Sequence, residues 1–368
     1  MTNIYANEIR KTGFVLESKV SEVLRREGWN VISNKYYEDD LEGNVREIDI
    51  LAYKVAKIQQ VNVYTTLLIS CKKSEQDIWA LLARPIELNN PNADWWPLHT
   101  WSNDKSILYH LGKAKMAKVY HDALENLGVI DALSTPSYEV FAFQEMNKKS
   151  GAPRNDTNIH KAVTSLMKAQ AYEIGALSAR KKTPSIYQFN LISIIDADLY
   201  RLVIEGDNIS QQQIKDEHYI SKYIIKKQET CSRIRFVAAQ SFGEILKDYN
   251  RLHIGNTKWF NEGIDSFYKD ILTDYSRAKI LLPEFRAEVE WLIHHEVRKI
   301  DGLQLAKDEI IVSWNKKEKY AEVSFWEIKP YLPQLNSNEQ LKNKVSAALK
   351  KVYRYTGEFW FAEDDIPF

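Results

Sequence analysis

The expected architecture rests on two short segments, REIDIL at residues 46–51 and LLISCKKS at residues 67–74. Their alternating and β-branched composition predicts two strands, in which successive side chains point to opposite faces. On this pattern Ile48 and Ile50 lie on one face of the first strand and Asp49 lies on the other. The polar residue therefore interrupts an apolar strand, where a charge is unusual unless it has a partner.

The partner of Asp49 is expected on the second strand. If the two strands form a hairpin that turns at residues 59–60, Asp49 lies opposite Ser70 and Glu47 lies opposite Lys72. Asp49 and Lys72 are then diagonal neighbours, at about 7–8 Å between Cα atoms. The sequence therefore predicts a carboxylate and an amine close together near one end of a sheet.

The remaining periodicities extend this hairpin into two domains. Before residue 255, helices are predicted over residues 13–27, 75–84, 107–127, 158–176 and 242–249. Strands are predicted there over residues 29–37, 46–55, 61–72, 138–143, 186–195, 199–205, 219–226 and 234–238. Later helices are predicted over 262–280, 284–300 and 338–355, with a hairpin formed by 309–314 and 320–328. We expect an α/β domain over 1–254 and a C-terminal α+β module over 255–368.

Composition excludes several classes of protein. The 368 residues are 44% hydrophobic and 27% charged, which is ordinary for a folded chain and unlike a disordered one. Lys plus Arg and Asp plus Glu both number 50, so any surface for a polyanion must be a local patch. The longest uncharged stretch, residues 58–71, falls short of the about 18 apolar residues that suggest a membrane span. With only two cysteines and no apolar N-terminal signal region, we expect a cytoplasmic protein without a disulfide framework.

The expected meeting of Asp49 and Lys72 suits phosphodiester hydrolysis. That reaction needs charge neutralisation on the phosphoryl oxygens and an activated water, which a carboxylate-held Mg²⁺ and a lysine can supply. Glu17 borders the apolar face of the first helix, one turn from Val20, and can point toward the same place. The alternative is structural: Asp49 and Lys72 form a cross-strand ion pair, and Glu17 is a solvated helix charge.

The order of these residues resembles the PD-(D/E)xK superfamily, the restriction endonuclease-like nucleases. An acidic helix residue precedes three strands, the second strand carries Asp49, and the third carries Lys72 before a helix and another strand. This resemblance covers about the first two thirds of the chain. It implies a restriction endonuclease-like mixed sheet flanked by helices, in which Glu17 is the helical acid, Asp49 binds the metal and Lys72 is the catalytic lysine.

The sequence departs from that pattern at Ser70. The residue two positions before the lysine is usually Asp or Glu in this superfamily, and Ser70 removes that carboxylate. The resemblance then implies that Mg²⁺ or Mn²⁺ is held by Asp49, Glu17 and the backbone carbonyl of Cys71, with water completing the coordination.

The resemblance implies a Mg²⁺-dependent DNA endonuclease, with RNA open as a substrate, in prokaryotic restriction or defence. The alternative is a noncatalytic protein that binds nucleic acid or a partner and keeps a degenerate nuclease fold. Basic residues expected to follow a phosphate backbone, unless they form a solvated face, are Lys148, Lys149, Arg154, Lys161, Lys168, Arg180, Lys181 and Lys182. The C-terminal module is expected to serve target recognition or assembly, including homodimerisation.

Overall fold

The chain forms two compact units of mixed α/β structure. The structure is a computed structural model and describes residues 4–39, 43–301, 310–325 and 327–363. The first unit comprises residues up to Asp104 together with Gly112–Asn261, and the second comprises Lys105–Leu111 together with residues from Glu262 onward. Within the described ranges, no helix has the length and apolar composition needed to cross a membrane.

The first unit contains two sheets and most of the helices. Its helices are α1 (Ile4–Ile9), α2 (Phe14–Arg26), α4 (Met116–Asn126), α5 (Thr157–Arg180) and most of α6 (Phe242–Tyr268), while α3 (Lys105–Leu111) belongs to the second unit. Its strands are β1 (Asn30–Glu38), β2 (Val45–Ile58), β3 (Val61–Lys73), β4 (Asp77–Pro85), β5 (Thr100–Ser102), β6 (Tyr138–Asn147), β7 (Ser185–Asp196), β8 (Leu199–Glu205), β9 (Asn208–Gln213), β10 (Asp216–Ile225) and β11 (Gln228–Ala238).

The larger sheet has seven strands in the order β1-β2-β3-β7-β11-β10, with β5 paired to β7. β1, β2 and β3 are antiparallel neighbours, whereas β7 is parallel to both β3 and β11. A parallel connection needs a long crossover, and the chain between β3 and β7 includes α5. The smaller sheet has four strands in the order β6-β4-β8-β9.

The predicted hairpin is confirmed. β2 and β3 pair from Ile58 with Val61 to Ile50 with Ile69, which is the register expected from the sequence. Gln59 makes the turn with a φ of 50°, a left-handed conformation that is uncommon for a residue with a Cβ atom.

Both faces of the larger sheet are buried. One face packs against α2, α4 and α6, and its core includes Leu24, Ile69 and Leu246. The other face packs against α5 and the smaller sheet, and its core includes Leu68, Trp79 and Leu166. Full burial of one such aliphatic or aromatic side chain contributes about 1.5–3 kcal/mol. These two cores fix α2 and α5 on opposite faces of the same strands.

Several predicted elements are wrong. The predicted helix over residues 75–84 is strand β4, which is buried between β6 and β8. The predicted helix over 107–127 is two helices, α3 and α4, separated by a turn that includes Lys115 with a φ of 59°. Strand β9 was not predicted, because all six of its side chains are exposed and no apolar alternation identifies it.

The second unit combines helices with a small sheet. Besides α3 and the end of α6, it contains α7 (Tyr275–Asp301), β12 (Ile311–Asn315), β13 (Tyr320–Ser324), α8 (Leu332–Ser337), α9 (Glu339–Tyr353) and β14 (Phe359–Phe361). The strands form one sheet in the order β12-β13-β14. The division predicted after residue 254 lies within α6, whereas the two units divide after Asn261. The predicted strand start at Glu309 lies outside the described residues.

Candidate active site

Asp49 lies at the point where the β2–β3 ladder ends. The last paired residues are Ile50 and Ile69, so Asp49 and Ser70 come next in register without being paired. The Asp49 carboxylate takes the place of a backbone acceptor there: the Cys71 amide donates to Oδ2 at 2.6 Å, and the Ser70 hydroxyl donates to the same oxygen at 3.3 Å. These hydrogen bonds hold the carboxylate across the gap between the two strands.

The side chains of β2 do not alternate regularly at Asp49. Ile50 packs in the core on the α2 side of the sheet, but Ile48 packs with Leu51 in the core on the α5 side. The expectation that Ile48 and Ile50 share a face is therefore wrong. On β1, Asn34 is unpaired with a φ of 55° between residues that pair with Ile48 and Ile50, and this irregularity accompanies the change of face.

Lys72 reaches Asp49 as the sequence predicts. Its Nζ lies 3.7 Å from Asp49 Oδ2, and the two side chains are 30% and 22% exposed. A partly exposed pair of this kind contributes at most about 1 kcal/mol to stability, so the same geometry also describes an ordinary cross-strand ion pair.

Glu17 belongs to the same electrostatic environment. It lies in the first turn of α2, and its pKa is raised above the usual range for Glu. Burial is the main cause, the carboxylates of Asp49 and Glu47 add to it, and the Lys72 ammonium opposes it. Glu17 on α2 therefore joins Asp49 and Glu47 as a third carboxylate near Lys72. We call Glu17, Asp49, Ser70 and Lys72 the Asp49 cluster.

Cys71 contributes its backbone to this site and not its thiol. Its side chain is 5% exposed and packs in the core on the α2 side of the sheet. Burial raises the pKa of the thiol well above its usual value, and the carboxylates of Asp49 and Glu17 raise it further. The thiol is therefore protonated at neutral pH and acts as a small apolar side chain.

The donors of the Asp49 cluster fit a metal ion that keeps much of its water. Among residues 4–39, 43–301, 310–325 and 327–363, no three side chains of His, Cys, Asp or Glu are grouped to hold a metal. Asp49 and Glu17 supply two carboxylates, and Mg²⁺ commonly binds through one or two carboxylates with several waters retained. The carboxylates are thus of the type that a hydrated hard cation accepts, and the described residues form no closed protein cage around it.

Half of the basic residues expected to contact nucleic acid are paired with carboxylates. These four lie within 4 Å of an acidic oxygen: Lys148 with Asp198, Arg154 with Asp77, Lys168 with Asp39, and Arg180 with Glu173. Lys181 lies over the rings of Tyr64 and Tyr187, and Lys182 Nζ lies 3.4 Å from the Ser178 carbonyl oxygen. Lys149 and Lys161 are exposed. Four of the eight cations, Lys148, Arg154, Lys168 and Lys181, thus contact residues outside α5 and its flanking segment.

The sequence did not lead us to predict a groove that is lined mainly by cations and runs along α2. Its volume is about 880 Å³, and its lining includes Leu16 and Lys73, the chain neighbours of Glu17 and Lys72, but no residue of the cluster itself. The charged residues that line it are Arg10, Lys19, Arg26, Lys73 and Asp196, and we call it the α2 groove. Lys19 and Arg26 make no ion pair within the described part of the chain. The seven-residue spacing of Lys19 and Arg26 places both on one side of α2, and this sequence pattern could have predicted the groove.

Comparison with known proteins gives no relative, since no family model, no curated protein and no solved structure matches the chain.

Proposed function

We propose that this protein is a Mg²⁺-dependent endonuclease that hydrolyses DNA phosphodiester bonds at the Asp49 cluster. The observation that carries the proposal is the 3.7 Å approach of Lys72 Nζ to Asp49 Oδ2, with Glu17 in electrostatic range of both. Asp49 and Lys72 meet where the β2–β3 ladder ends, and both affect the pKa of Glu17 on α2. A lysine beside a carboxylate that can bind a cation is one combination that can supply the charge stabilisation and activated water for hydrolysis of a phosphate diester.

The order of elements supports the same proposal. Helix α2 precedes the antiparallel strands β1, β2 and β3, and after α5 the strand β7 joins β3 in parallel. This succession, with Asp49 in β2 and Lys72 in β3, is similar to the PD-(D/E)xK superfamily. The restriction endonuclease-like fold is part of the proposal.

Each residue of the cluster has a role in the proposed reaction. Asp49 and Glu17 would hold Mg²⁺ or Mn²⁺, which when bound neutralises phosphoryl oxygens and lowers the pKa of a bound water. The Lys72 ammonium would bind a phosphoryl oxygen and stabilise the charge that develops there. Ser70 and the Cys71 amide keep the Asp49 carboxylate oriented through their hydrogen bonds to Oδ2.

The α2 groove supports a polyanionic substrate. Four cations and one carboxylate line it, although the whole chain has a formal net charge of zero. Lys19 and Arg26 lie seven residues apart on α2, a rise of about 10 Å at 1.5 Å per residue, so they can contact separate phosphates of one strand. Both DNA and RNA present such phosphates.

Ser70 favours a second candidate, a noncatalytic protein that binds nucleic acid. The position where the superfamily usually has a carboxylate carries a hydroxyl that is 2% exposed and hydrogen-bonded to Asp49. Within the described ranges, no three acidic, His or Cys side chains are grouped as ligands. On this alternative the α2 groove binds nucleic acid and the Asp49–Lys72 pair is structural.

A nicking experiment distinguishes the two candidates. Supercoiled plasmid is incubated with the purified chain in Mg²⁺, in Mn²⁺ or in EDTA, and Asp49→Asn and Lys72→Met are compared with the wild type. Each substitution should lower the nicking rate by at least about 100-fold, as losses of charge stabilisation at such sites do. The matched controls are Asp122→Asn and Lys118→Met, which break an exposed Asp–Lys pair at 2.6 Å on α4 and should leave nicking unchanged.

The outcomes separate clearly. Metal-dependent nicking that survives Asp49→Asn or Lys72→Met would refute the assignment of the active site. Plasmid and RNA that remain intact in both metals, together with tight binding, would favour the noncatalytic candidate and refute the enzyme.

A further inference from the structure

A second cavity lies on the α5 side of the larger sheet. It has a volume of about 360 Å³, within the range of small-molecule sites. Its floor is formed by side chains of β1, β2, β3 and β7, and its wall by the last two turns of α5. We call it the tyrosine cavity after three of its lining residues, Tyr53, Tyr64 and Tyr187. It shares no residue with the Asp49 cluster.

The floor of the tyrosine cavity is aromatic. The rings of Tyr64 and Tyr187 are stacked, with centroids 4.2 Å apart and planes inclined by 6°, and the Tyr53 ring lies 5.8 Å from that of Tyr64. All three side chains are only partly buried. Tyr64 and Tyr187 cover one face of each other, and their partly exposed edges, together with Tyr53, offer aromatic surface against which a planar heterocycle can pack.

The wall of the cavity carries an excess of positive charge. Lys35, Arg180 and Lys181 line it together with a single carboxylate, Glu173. Lys35 Nζ and Arg180 Nη2 both lie 2.8 Å from Glu173 Oε2, so one carboxylate oxygen forms ion pairs with both cations. Lys181 Nζ lies 4.9 Å from the centroid of Tyr64 and makes no ion pair within the described residues. Three cations facing one carboxylate favour a ligand that carries negative charge.

Two buried polar atoms of the lining have no hydrogen-bond partner among the described residues. They are Glu173 Oε1 and Thr66 Oγ1, and their residues are only 5% and 2% exposed. An unsatisfied buried polar atom costs about 1–3 kcal/mol, and such atoms are rare in folded proteins. A carboxylate oxygen accepts only, so the missing partner of Glu173 is an N–H or O–H donor.

We propose that the tyrosine cavity binds a nucleotide, with the base packed against the tyrosine rings, a base N–H donated to Glu173 Oε1, a hydrogen bond between the ligand and Thr66 Oγ1, and the phosphate near Lys181. Three independent features agree with this ligand, namely the aromatic floor, the positive excess and the unsatisfied acceptor. The nucleotide is either a free mononucleotide or an unpaired residue of a nucleic-acid strand. The inference does not depend on nuclease activity, because the Asp49 cluster takes no part in it.

The test is binding by the full-length chain in EDTA, so that no strand is cut. Titration calorimetry uses AMP, GMP, CMP and UMP, inorganic phosphate, and a short single-stranded DNA. Thr66→Val removes a hydroxyl without a protein partner, so the fold should be unaffected while nucleotide affinity falls about five-fold, the value of one hydrogen bond. Thr100→Val is the matched control, because that buried hydroxyl also lacks a partner among the described residues and does not line the cavity.

The readings of this experiment differ by ligand and by variant. Binding of a mononucleotide that weakens in Thr66→Val and Lys181→Gln, but not in Thr100→Val, supports a free nucleotide. The same pattern for the oligonucleotide alone supports an unpaired residue of a strand. The proposal is overturned if no nucleotide or strand binds, if inorganic phosphate binds equally well, or if Thr66→Val and Lys181→Gln leave the affinity unchanged.

Discussion

Ser70 determines which charges surround Asp49. Its hydroxyl donates a hydrogen bond to Asp49 Oδ2 at 3.3 Å and is 2% exposed. A carboxylate in its place would lie beside Asp49 in a site with little solvent, where two like charges raise each other's pKa. A divalent cation would relieve that repulsion. The stability of a variant with a carboxylate at position 70 therefore tests metal binding without any measurement of catalysis.

Replacement of Ser70 by Asp should make stability depend on Mg²⁺. In EDTA we expect Ser70→Asp to lower the free energy of unfolding by on the order of 2 kcal/mol, because a second carboxylate is buried beside Asp49. Saturating Mg²⁺ should recover most of that loss, and urea titrations with and without Mg²⁺ measure it. Ser70→Ala is the control and should cost less than about 1 kcal/mol in both conditions. A Ser70→Asp variant that is equally unstable in Mg²⁺ and in EDTA would argue against a cation at Asp49.

For individual side chains, the sequence predicted some contacts and missed others. The strand period and the hairpin register were enough to bring Lys72 to Asp49, because both are local properties of neighbouring strands. The basic residues of α5 were different. Lys168 is bound to Asp39, which is distant in the sequence and reaches it only through the packing of β1 on α5. Periodicity contains no information about such long-range pairs.

The strands and helices show where local patterns are sufficient. Regular alternation predicted β2 and β3, and the predicted helix over residues 158–176 matches the central part of α5. In β4 the spacing of Ile78, Leu81 and Leu82 also fits a helix, and its pairing with β6 and β8 overrides that preference. Helix α6 was predicted to end at residue 249, but it continues through Gly255 to Tyr268.

Gly255 has a packing role that explains its position inside α6. A Cβ atom there would lie 2.8 Å from both Leu124 Cδ1 and Val129 Cγ2, so the glycine permits close approach of the last turn of α4 and of the residues that follow it. Gly263, in the same helix, has its nearest neighbour at 3.7 Å, an ordinary contact. The same substitution at these two glycines should therefore have opposite effects.

Gly255→Ala should destabilise the protein, and Gly263→Ala should stabilise it. Alanine is favoured over glycine in a helix interior by about 1 kcal/mol, which should appear at Gly263. At Gly255 an overpacking cost of about 1–3 kcal/mol should exceed that gain. Thermal or urea unfolding of both variants gives the comparison. A stabilised Gly255→Ala variant would show that Leu124 and Val129 move aside at little cost.

The total charge of the protein is balanced, but the charges are unevenly distributed over its surface. The chain carries 50 basic and 50 acidic residues, yet four cations line the α2 groove against one carboxylate. Global composition could not predict this groove, because it is assembled from the start of the chain, the end of β3 and the start of α6. The same reasoning applies to the division of the chain, which falls within a continuous helix and leaves no mark in composition.

The α2 groove should govern the salt dependence of nucleic-acid binding. Each phosphate contact contributes about 0.9 to the slope of log affinity against log salt for duplex DNA. The double variant Lys19→Gln, Arg26→Gln should therefore lower that slope by about 2, measured by fluorescence anisotropy in EDTA. Arg25→Gln, an exposed cation of α2 that does not line the groove, is the control and should leave the slope unchanged. An unaltered slope in the double variant would place the nucleic acid elsewhere.

The assignment of Lys105–Leu111 to the second unit has a consequence for how the protein is made and how it can evolve. During translation this heptapeptide leaves the ribosome long before its packing neighbours beyond Glu262, so the second unit cannot complete its interior until those later residues have been made. A gene fusion that transferred only the residues from Glu262 onward would lose Lys105–Leu111, which belongs to the same unit. The two units are therefore expected to be inherited together.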